Sequence, residues 1–265
     1  MPEATAASAW GEQLARWAIP DEVLARAPES PYFFDVGEFA SRADGAVARK
    51  GRSVSDSMAL QALSLGGSVL DVGSGAGAAS LPLARRAGLL LAVDERAELL
   101  AAFAARAEAI EVPFRGFEGR WPDVAGDVPV AEVAVSHHVA YNVADLSSFA
   151  LALGSHARRR VVLELTAAHP LAWTSPYWRA LHGVVRPEGP VAADAAALLR
   201  EAALDVREVR WRQPRAPLDA AAFERLARRL CLGPDRHAEL AALLRKAPPP
   251  RWRDLSTIWW DVQGA

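Results

Sequence analysis

Two adjacent histidines, His137 and His138, are the side chains of this sequence best suited to proton transfer. Imidazole titrates near neutral pH, so either ring could remove a proton from a bound acceptor. Tyr141 follows three residues after His138 and could orient the same acceptor. These residues could instead have structural roles. One histidine would then pack near a ligand, the other would bond a neighbouring loop, and the tyrosine would be half-buried. The segment is therefore a candidate catalytic segment with these alternatives open.

A glycine-rich segment carries the strongest ligand-binding signal. Residues 71–77 read DVGSGAG and follow a short apolar run. Glycines at such a turn let the backbone bend tightly and let a ligand approach without a Cβ in the way. A helix expected at 78–87 would add free N–H groups for a carboxylate or a phosphate. Because the spacing also fits a variant of the dinucleotide fingerprint, the glycines alone leave the ligand open.

Two carboxylates narrow the class of ligand. Asp71 lies two residues before the first glycine, where an anion would repel a pyrophosphate but would suit a cationic amino group. S-adenosylmethionine (SAM) carries both an α-ammonium and a sulfonium. Asp94 lies 23 residues after Asp71, at the end of the next apolar run, where a carboxylate can accept hydrogen bonds from ribose hydroxyls. These carboxylates favour SAM over a dinucleotide.

The elements that position these residues alternate between strands and helices. Apolar runs indicate strands at 68–72, 89–93, 112–117, 133–136 and 160–165, with helices at 78–87, 95–110 and 146–157. The rest of the chain indicates helices at 194–204, 220–231 and 235–246 and strands at 205–212 and 256–262. This alternation predicts an α/β fold with a mostly parallel sheet and helices on both faces.

The whole chain, 1–265, is expected to form one domain, because no repeat or low-complexity linker divides it. Residues 1–65 have helical patterns and predict an N-terminal helical cap. Residues 66–190 form the expected cofactor-binding core, and residues 191–265 form a C-terminal part with a helical insertion and a closing strand.

The motifs in this order resemble those of the class I, Rossmann-like SAM-dependent methyltransferases. The resemblance covers residues 68–166 well and the C-terminal part more loosely. It implies a Rossmann-like, doubly wound α/β fold whose mostly parallel seven-stranded sheet closes with an antiparallel pair near 206–211 and 257–262. It also implies SAM as the cofactor. The residues expected to bind it are Asp71, Gly73, Ser74, Gly75, Gly77, Asp94, Ser136 and His137.

The sequence departs from the family pattern after the third strand. The family often has an acidic residue there that contacts the adenine amino group, whereas residues 117–121 here read FEGRW. Either Glu118 takes this role one position early, or backbone atoms near Gly119 do, with Trp121 beside the ring.

The acceptor should bind beyond the carboxyl ends of the fourth and fifth strands, as ligands do in open α/β sheets. Glu164, in the fifth strand, either faces this pocket or pairs with an arginine among 158–160. The N-terminal segments near 32–39 and 55–58 and the aromatic segment 169–182 are expected to close over the SAM methyl group. Their aromatic rings and the lack of a basic stripe predict a flat, mostly apolar small molecule.

Methyl transfer to a small molecule is therefore the expected activity. The alternatives are a non-catalytic SAM-binding regulatory protein and, less favoured by Asp71, a nucleotide-dependent oxidoreductase. The net charge of −2 argues against nucleic acid and anionic membrane as partners. Six scattered histidines and one cysteine give no metal-ligand spacing, so no metal is expected. The chain is expected in the cytoplasm, and a homodimer is compatible with the sequence.

Overall fold

The computed structural model describes residues 6–262 and contains a seven-stranded sheet. In chain order the strands are β1 (Gly67–Val72), β2 (Ala87–Asp94), β3 (Phe114–Glu118), β4 (Ala131–His137), β5 (Ala157–Thr166), β6 (Arg207–Pro214) and β7 (Trp252–Asp261). Their order across the sheet is β3-β2-β1-β4-β5-β7-β6. Strands β1–β5 pair in parallel, and β7 runs antiparallel to both β5 and β6. This confirms the predicted α/β fold with its closing antiparallel pair.

Helices cover both faces and the carboxyl edge of the sheet. Within the described residues they are α1 (Ala6–Ala15), α2 (Asp21–Leu24), α3 (Val36–Ala48), α4 (Val54–Ala62), α5 (Ala97–Ala109), α6 (Leu146–Ser155), α7 (Ser175–His182), α8 (Ala192–Glu201), α9 (Ala220–Arg229) and α10 (His237–Lys246). The four helices that precede β1 confirm an N-terminal helical segment. None of the helices in the described part of the chain is both long and apolar enough to cross a membrane.

Each face of the sheet buries its own apolar core. Successive side chains of a strand point to opposite faces, so Val69 and Leu70 of β1 belong to different cores. The core that contains Leu70 also takes Trp10 from α1 and residues of α6 and α8. The core that contains Val69 takes Ala43 from α3 and residues of α4 and α5. The sheet is therefore buried on both sides and provides a rigid edge for a site.

A third apolar core lies outside these two layers. Residues 215–251, here called the lid, are inserted between β6 and β7 and contain α9 and α10. Leu230 and Leu240 of the lid pack with Tyr177 and Trp178 of α7 and with Val23 of α2. The lid begins where β6 ends, at the carboxyl edge, and the Arg215 N–H donates to the Arg251 carbonyl at 2.9 Å. Tyr177 and Trp178, expected near the acceptor, are therefore buried in the packing of the lid.

The helix predicted at 78–87 is wrong. The chain forms turns there and a short 3₁₀ helix at Leu81–Leu83. Pro82 has no N–H, and inside an α-helix its ring would clash with the carbonyl of residue 78. Too few residues remain between Pro82 and the start of β2 to form a stable helix. The helix N-terminus expected beside the glycine segment is therefore absent from residues 78–87.

Candidate active site

The glycine segment of residues 73–77 forms a tight loop after β1 and bonds its own backbone. Gly73, Gly75 and Gly77 have φ values of 66°, 52° and 94°, a left-handed region that favours glycine. The Gly73 and Ser74 N–H groups both donate to the Val93 carbonyl, at 2.8 and 3.1 Å, and the Gly77 N–H donates to the Ser74 carbonyl at 2.9 Å. These N–H groups are therefore not free to hold a phosphate.

Two apolar side chains lie over this loop. A Cβ added at Gly75 would lie 2.7 Å from a ring carbon of Phe39, which comes from α3. A Cβ added at Gly73 would overlap the side chain of Val139, which follows β4. The glycines are therefore required by close approach as well as by backbone conformation. The N-terminal segment 32–39 reaches the loop through Phe39, and its closure over a SAM methyl group stays a prediction.

Buried polar atoms line the start of the loop. Asp71 is 1% exposed, and its Oδ2 accepts a hydrogen bond from the Ser80 hydroxyl at 2.6 Å. Its Oδ1 and the Ser74 hydroxyl are both buried without a hydrogen-bond partner in residues 6–262. Burial raises the pKa of Asp71 to about 7, although the hydrogen bond from Ser80 opposes this. Two polar atoms are thus available to a ligand at this point.

Asp94 ends β2 and bonds the glycine loop. Its Oδ2 accepts from the Gly75 N–H at 2.8 Å, and its Oδ1 accepts from the Arg96 N–H at 3.1 Å. Burial raises its pKa, and these two backbone bonds oppose the rise. The neighbouring Gly119 N–H donates to the Asp94 carbonyl, while the Glu118 side chain is exposed at the end of β3. Contacts from Glu118 or Gly119 to adenine stay a prediction.

The end of β4 carries the two histidines into the space beside the loop. Ser136 is buried, and its hydroxyl donates to the Val72 carbonyl at 2.8 Å, which ties β4 to β1. The Nε2 of His137 is buried and has no hydrogen-bond partner among the described residues. Burial lowers the pKa of His137, although the charge of Glu164 opposes this. His137 therefore lies at the site with a ring nitrogen that has no partner among the described residues.

His138 and Glu164 form a pair at the carboxyl edge. The His138 Nε2 lies 3.1 Å from the Glu164 Oε1, and the His138 N–H donates to the Glu164 carbonyl at 2.7 Å. His138 has a φ of 63°, which is unusual for a residue other than glycine and is often found at functional sites. Because Nε2 faces a carboxylate, it carries the proton, and Nδ1 is left as an acceptor. Glu164 thus faces the site and does not pair with residues 158–160.

A chain of donors supports the Glu164 carboxylate. The Trp211 Nε1 lies 2.9 Å from the Thr257 hydroxyl, which lies 2.7 Å from the Ser55 hydroxyl, and Ser55 donates to the Glu164 Oε2 at 2.6 Å. An indole N–H can only donate, so each hydroxyl in turn donates toward Glu164. Burial opposes ionisation of Glu164, but the nearby histidines and these hydrogen bonds outweigh it and hold its pKa below the usual value. Glu164 is therefore a carboxylate at neutral pH.

Ser55 is positioned by the first turn of α4. The Ser53 hydroxyl accepts from the Asp56 N–H, and the Asp56 carboxylate accepts from the Ser53 N–H, each at 2.9 Å. This capping box fixes the start of the helix. Arg49 also donates to Asp56, at 2.5 Å. The fully buried Ser55 is thereby held against Glu164 of β5, and closure of segment 55–58 over a SAM methyl group stays a prediction.

Tyr141 has a position that suits packing better than proton transfer. Its hydroxyl donates to the Thr166 carbonyl at 2.8 Å, and its ring is stacked on Trp10 with centroids 5.6 Å apart. Burial raises its pKa above the normal value. His169 packs edge-on against Tyr141 and stacks on Trp17 at 3.7 Å. These rings attach the N-terminal helices to the sheet.

The arrangement fits SAM. Left-handed glycines shape the loop, and Asp71 and Ser74 offer unpartnered polar atoms beside it. Asp94, at the end of β2, is where a ribose would lie. Phe39 would have to move aside for a ligand to reach Gly75. No cluster of histidine, cysteine or carboxylate side chains within residues 6–262 is arranged to hold a metal ion.

Solved structures share this fold. The YcgJ protein of Bacillus subtilis is 15% identical over 80% of this chain and 99% of its own, with a TM-score of 0.53. A Bacillus halodurans protein named as a methyltransferase is 14% identical over 78% and 97%, also with a TM-score of 0.53. A SAM-dependent methyltransferase of Aquifex aeolicus is 12% identical over 87% and 100%, with a TM-score of 0.49. By its similarity to the first two structures, the chain has the fold of the class I SAM-dependent methyltransferases, as its motifs imply.

Sequence comparison adds no closer assignment. No family model matches the chain, and no curated protein matches it. At the identities of the solved structures the similarity establishes the fold alone. The function must therefore be argued from the side chains of the site.

The donor chain behind Glu164 is the part of the site that the sequence analysis did not identify. Ser55 has a weak signal, because it lies in a recognisable helix-capping sequence. Thr257 and Trp211 lie in β7 and β6, whose pairing is known only from the folded structure. Glu164 was identified as a carboxylate that needs a partner, and the structure supplies His138 and Ser55.

Proposed function

We propose that this protein is a SAM-dependent methyltransferase that acts on a small molecule through an O–H or N–H group. The observation that carries the proposal is the His138–Glu164 pair, 3.1 Å apart, which lies at the carboxyl edge of a methyltransferase fold beside the glycine loop. A histidine held by a carboxylate is an arrangement suited to a general base.

The cofactor side of the proposed site comes from β1 and β2. Gly73, Gly75 and Gly77 shape the loop, and Asp94 would accept from the ribose hydroxyls. Asp71 and Ser74 would accept from the ammonium group through their unpartnered oxygens. When bound, SAM supplies an activated methyl group on its sulfonium. Orientation by the chain supplies much of the remaining rate.

The acceptor side would remove a proton. His138 accepts the proton of the acceptor at Nδ1, while its Nε2–H stays bonded to Glu164. Glu164 stabilises the resulting imidazolium, and Ser55, Thr257 and Trp211 hold the carboxylate in place. Val139 covers the loop at Gly73 and would exclude water there. His138 is thus the proposed catalytic residue, and Glu164 and Ser55 are positioning residues.

The site favours this function over the two alternatives. A pyrophosphate would need free N–H groups at the glycine loop, and those of Gly73, Ser74, Gly75 and Gly77 are bonded within the chain. A protein that only bound SAM would not need an oriented histidine in a left-handed conformation. We infer a reaction in the cytoplasm, and the net charge of −2 favours a small molecule over a nucleic acid as the acceptor.

The direct test combines binding with transfer. Tryptophan fluorescence should report saturable binding of S-adenosylhomocysteine (SAH) and no binding of NAD. The protein should then transfer tritiated methyl from labelled SAM into a fractionated small-molecule extract, and Glu164→Gln should bind SAH normally but transfer methyl more slowly. Saturable NAD binding without SAH binding would refute the proposal. Normal SAH binding with no transfer to any fraction would favour the regulatory protein.

A further inference from the structure

Helix α9 presents a row of arginines toward the N-terminal helices. Its sequence places Arg225, Arg228 and Arg229 at positions that share one face, while Leu226 and Leu230 enter the core of the lid. Arg225 forms an ion pair with the buried Glu38 of α3. The lid and the cap therefore meet across a surface that carries several positive charges.

The positive charges on this surface exceed the negative ones. Arg42 of α3 lies 3.7 Å from Glu38 and is 56% exposed. Burial lowers the pKa of Arg229; Glu38 opposes this, and the positive charges of Arg42, Arg225 and Arg228 lower it further. Within residues 6–262, Glu38 is the carboxylate that forms ion pairs with these arginines. The arginines thus outnumber their internal counterion.

Two of the arginines have no polar partner. No hydrogen bond or ion pair joins the Arg229 or Arg253 side chain to another described residue, although both are only partly exposed. The Nε of Arg228 is also buried without an acceptor. No protein acceptor occupies the Arg229 and Arg253 guanidinium groups, so their N–H groups are available to an anion. A guanidinium offers five donors in a planar fork, which suits a carboxylate or phosphate.

This surface adjoins the proposed catalytic pair. Arg253 is on β7, four residues before Thr257 and on the same face of the strand. Burial lowers the pKa of Arg253, the charges of Arg215 and Arg42 lower it further, and the Glu164 carboxylate opposes them. Arg42 also stacks on Phe39, with 5.4 Å between the guanidinium carbon and the ring centroid. Phe39 covers Gly75, so Arg42 adjoins the glycine loop, while Arg253 is close enough to Glu164 for their charges to interact.

Attachment of the lid explains only part of this arrangement. Arg228 lies 5.2 Å from the ring centre of Phe33, and Arg229 lies 5.0 Å from that of Phe34. Such stacking contributes modestly. Arg228 also donates a long hydrogen bond to the Phe33 carbonyl, at 3.5 Å, whereas the Arg229 guanidinium has no acceptor among the described residues. Leucines would attach a lid without introducing positive charges that exceed their counterions. The excess charge therefore requires a second explanation.

We infer that the arginines of α9 and β7 bind an anionic group of the methyl acceptor, a carboxylate or a phosphate. The arginine site consists of Arg42, Arg225, Arg228, Arg229 and Arg253. Its role as an acceptor subsite depends on the proposed methyltransferase function. It replaces the apolar acceptor expected from the sequence, because the basic stripe appears only when α3, α9 and β7 come together. The anion would hold the acceptor with its reactive O–H or N–H toward His138.

The first test measures anion binding by the full chain. Inorganic pyrophosphate and citrate are the probes, titrated calorimetrically with and without SAH. We expect saturable binding that weakens as NaCl is raised, because ionic contacts are screened. Arg229→Gln and Arg253→Gln should each weaken binding about tenfold, as expected when a charged hydrogen bond is lost. Arg207→Gln is the matched control. Arg207 lies at the start of β6, at the end away from the lid, so this variant should bind the probes like the parent protein.

The second test asks whether the acceptor is anionic. After transfer from tritiated SAM, the labelled product should be retained on a quaternary-amine resin at pH 7, where SAM flows through because its net charge is positive. Binding of SAH without saturable binding of either probe, or a labelled product that flows through, would overturn the inference and leave the methyltransferase intact. Probe binding that is unchanged in both variants would also overturn it. Probe binding without SAH binding would instead refute the proposed function.

Should either glutamine variant fail to fold, the lysine variants keep the inference testable. Arg229→Lys and Arg253→Lys retain the charge but lose the planar fork. They should bind the probes more weakly than the parent protein and more tightly than a neutral side chain. Equal affinity of the parent and both lysine variants would show that the guanidinium forks do not contact the anion. Circular dichroism establishes folding in each case.

Discussion

At the carboxyl edge, the polar groups of the proposed cofactor side and those of the proposed acceptor side differ in their hydrogen-bond partners. On the cofactor side the N–H groups of the glycine loop are bonded to β2 and to Asp94, and apolar rings cover the glycines. On the acceptor side His138 is held by a carboxylate, and guanidinium groups lie without anionic partners. The first region is suited to recognise a ligand by shape, and the second by charge and proton transfer. Variants of the two regions should therefore fail in different assays.

The largest effect is expected at His138. His138→Ala removes the proposed base, so the rate of methyl transfer should fall about one hundred to ten thousand-fold. Affinity for SAH should change little, because the cofactor side is intact. Initial rates with tritiated SAM and SAH titrations measure the two quantities. His237→Ala, on α10, is the control and should transfer methyl normally. A His138→Ala protein with the parental rate would remove the base from the mechanism.

Asp71 should make stability depend on pH. Its pKa is raised from 3.8 to about 7 in the folded chain, so the folded state holds a proton that the unfolded state releases. Stability from this group is therefore lost as pH rises from about 4 to 7, at about 1.4 kcal/mol per pH unit, and is constant above that interval. The Asp71→Asn variant has no carboxyl group at this position, so it should not lose this stability as pH rises. Urea unfolding from pH 4 to 8 should show that the free energy of unfolding of the variant rises relative to that of the parent protein as pH increases. The same pH dependence in both proteins would contradict a buried acid.

Asp94 should matter for cofactor affinity. Asp94→Ala removes a carboxylate proposed to accept from the ribose and releases the Gly75 N–H, so SAH binding should weaken by about 1.5–3 kcal/mol. Fluorescence titration measures this change. Glu95→Ala is the matched control, because Glu95 is adjacent and its one ion pair among residues 6–262 is with Arg120, at 3.9 Å. Equal losses in both variants would point to a general disturbance of the strand end.

Phe39 should have the smallest effect. Its ring lies over Gly75 and would have to leave before a ligand reached the loop. The apparent affinity falls with the fraction of molecules in the open arrangement, so Phe39→Ala should tighten SAH binding, by less than about tenfold. The same fluorescence titration detects the change. Weaker binding in this variant would mean that the ring packs on the cofactor.

The parts of the fold with a clear local signal were predictable. Apolar runs and the glycines of the loop identify β1, β2, β4 and β5 and the site at their ends. The helix at 78–87 failed because its small residues favour a helix while Pro82 prevents one. The alanine content of this segment predicts a helix, but the steric effect of Pro82 decides the structure.

The charged half of the site was not predictable in the same way. Arg42, Arg229 and Arg253 are far apart in the chain, and they are brought together only by the packing of α3, α9 and β7. Each arginine by itself resembles an ordinary surface residue. The pairing of His138 with Glu164 likewise depends on the register between β4 and β5. Groups joined by long-range contacts leave no periodic signal in one sequence.

The two ends of the lid meet at a single backbone hydrogen bond, from the Arg215 N–H to the Arg251 carbonyl. A segment whose ends meet can be exchanged for one of another length with little loop-closure penalty and no change in the pairing of β6 with β7. The lid carries three of the arginines of the proposed anion site, and the glycine loop lies outside it. We expect a graft between residues 215 and 251 to change which acceptor is recognised while the affinity for SAM persists. Under the proposed function, the insertion would be an exchangeable specificity module on a fixed sheet.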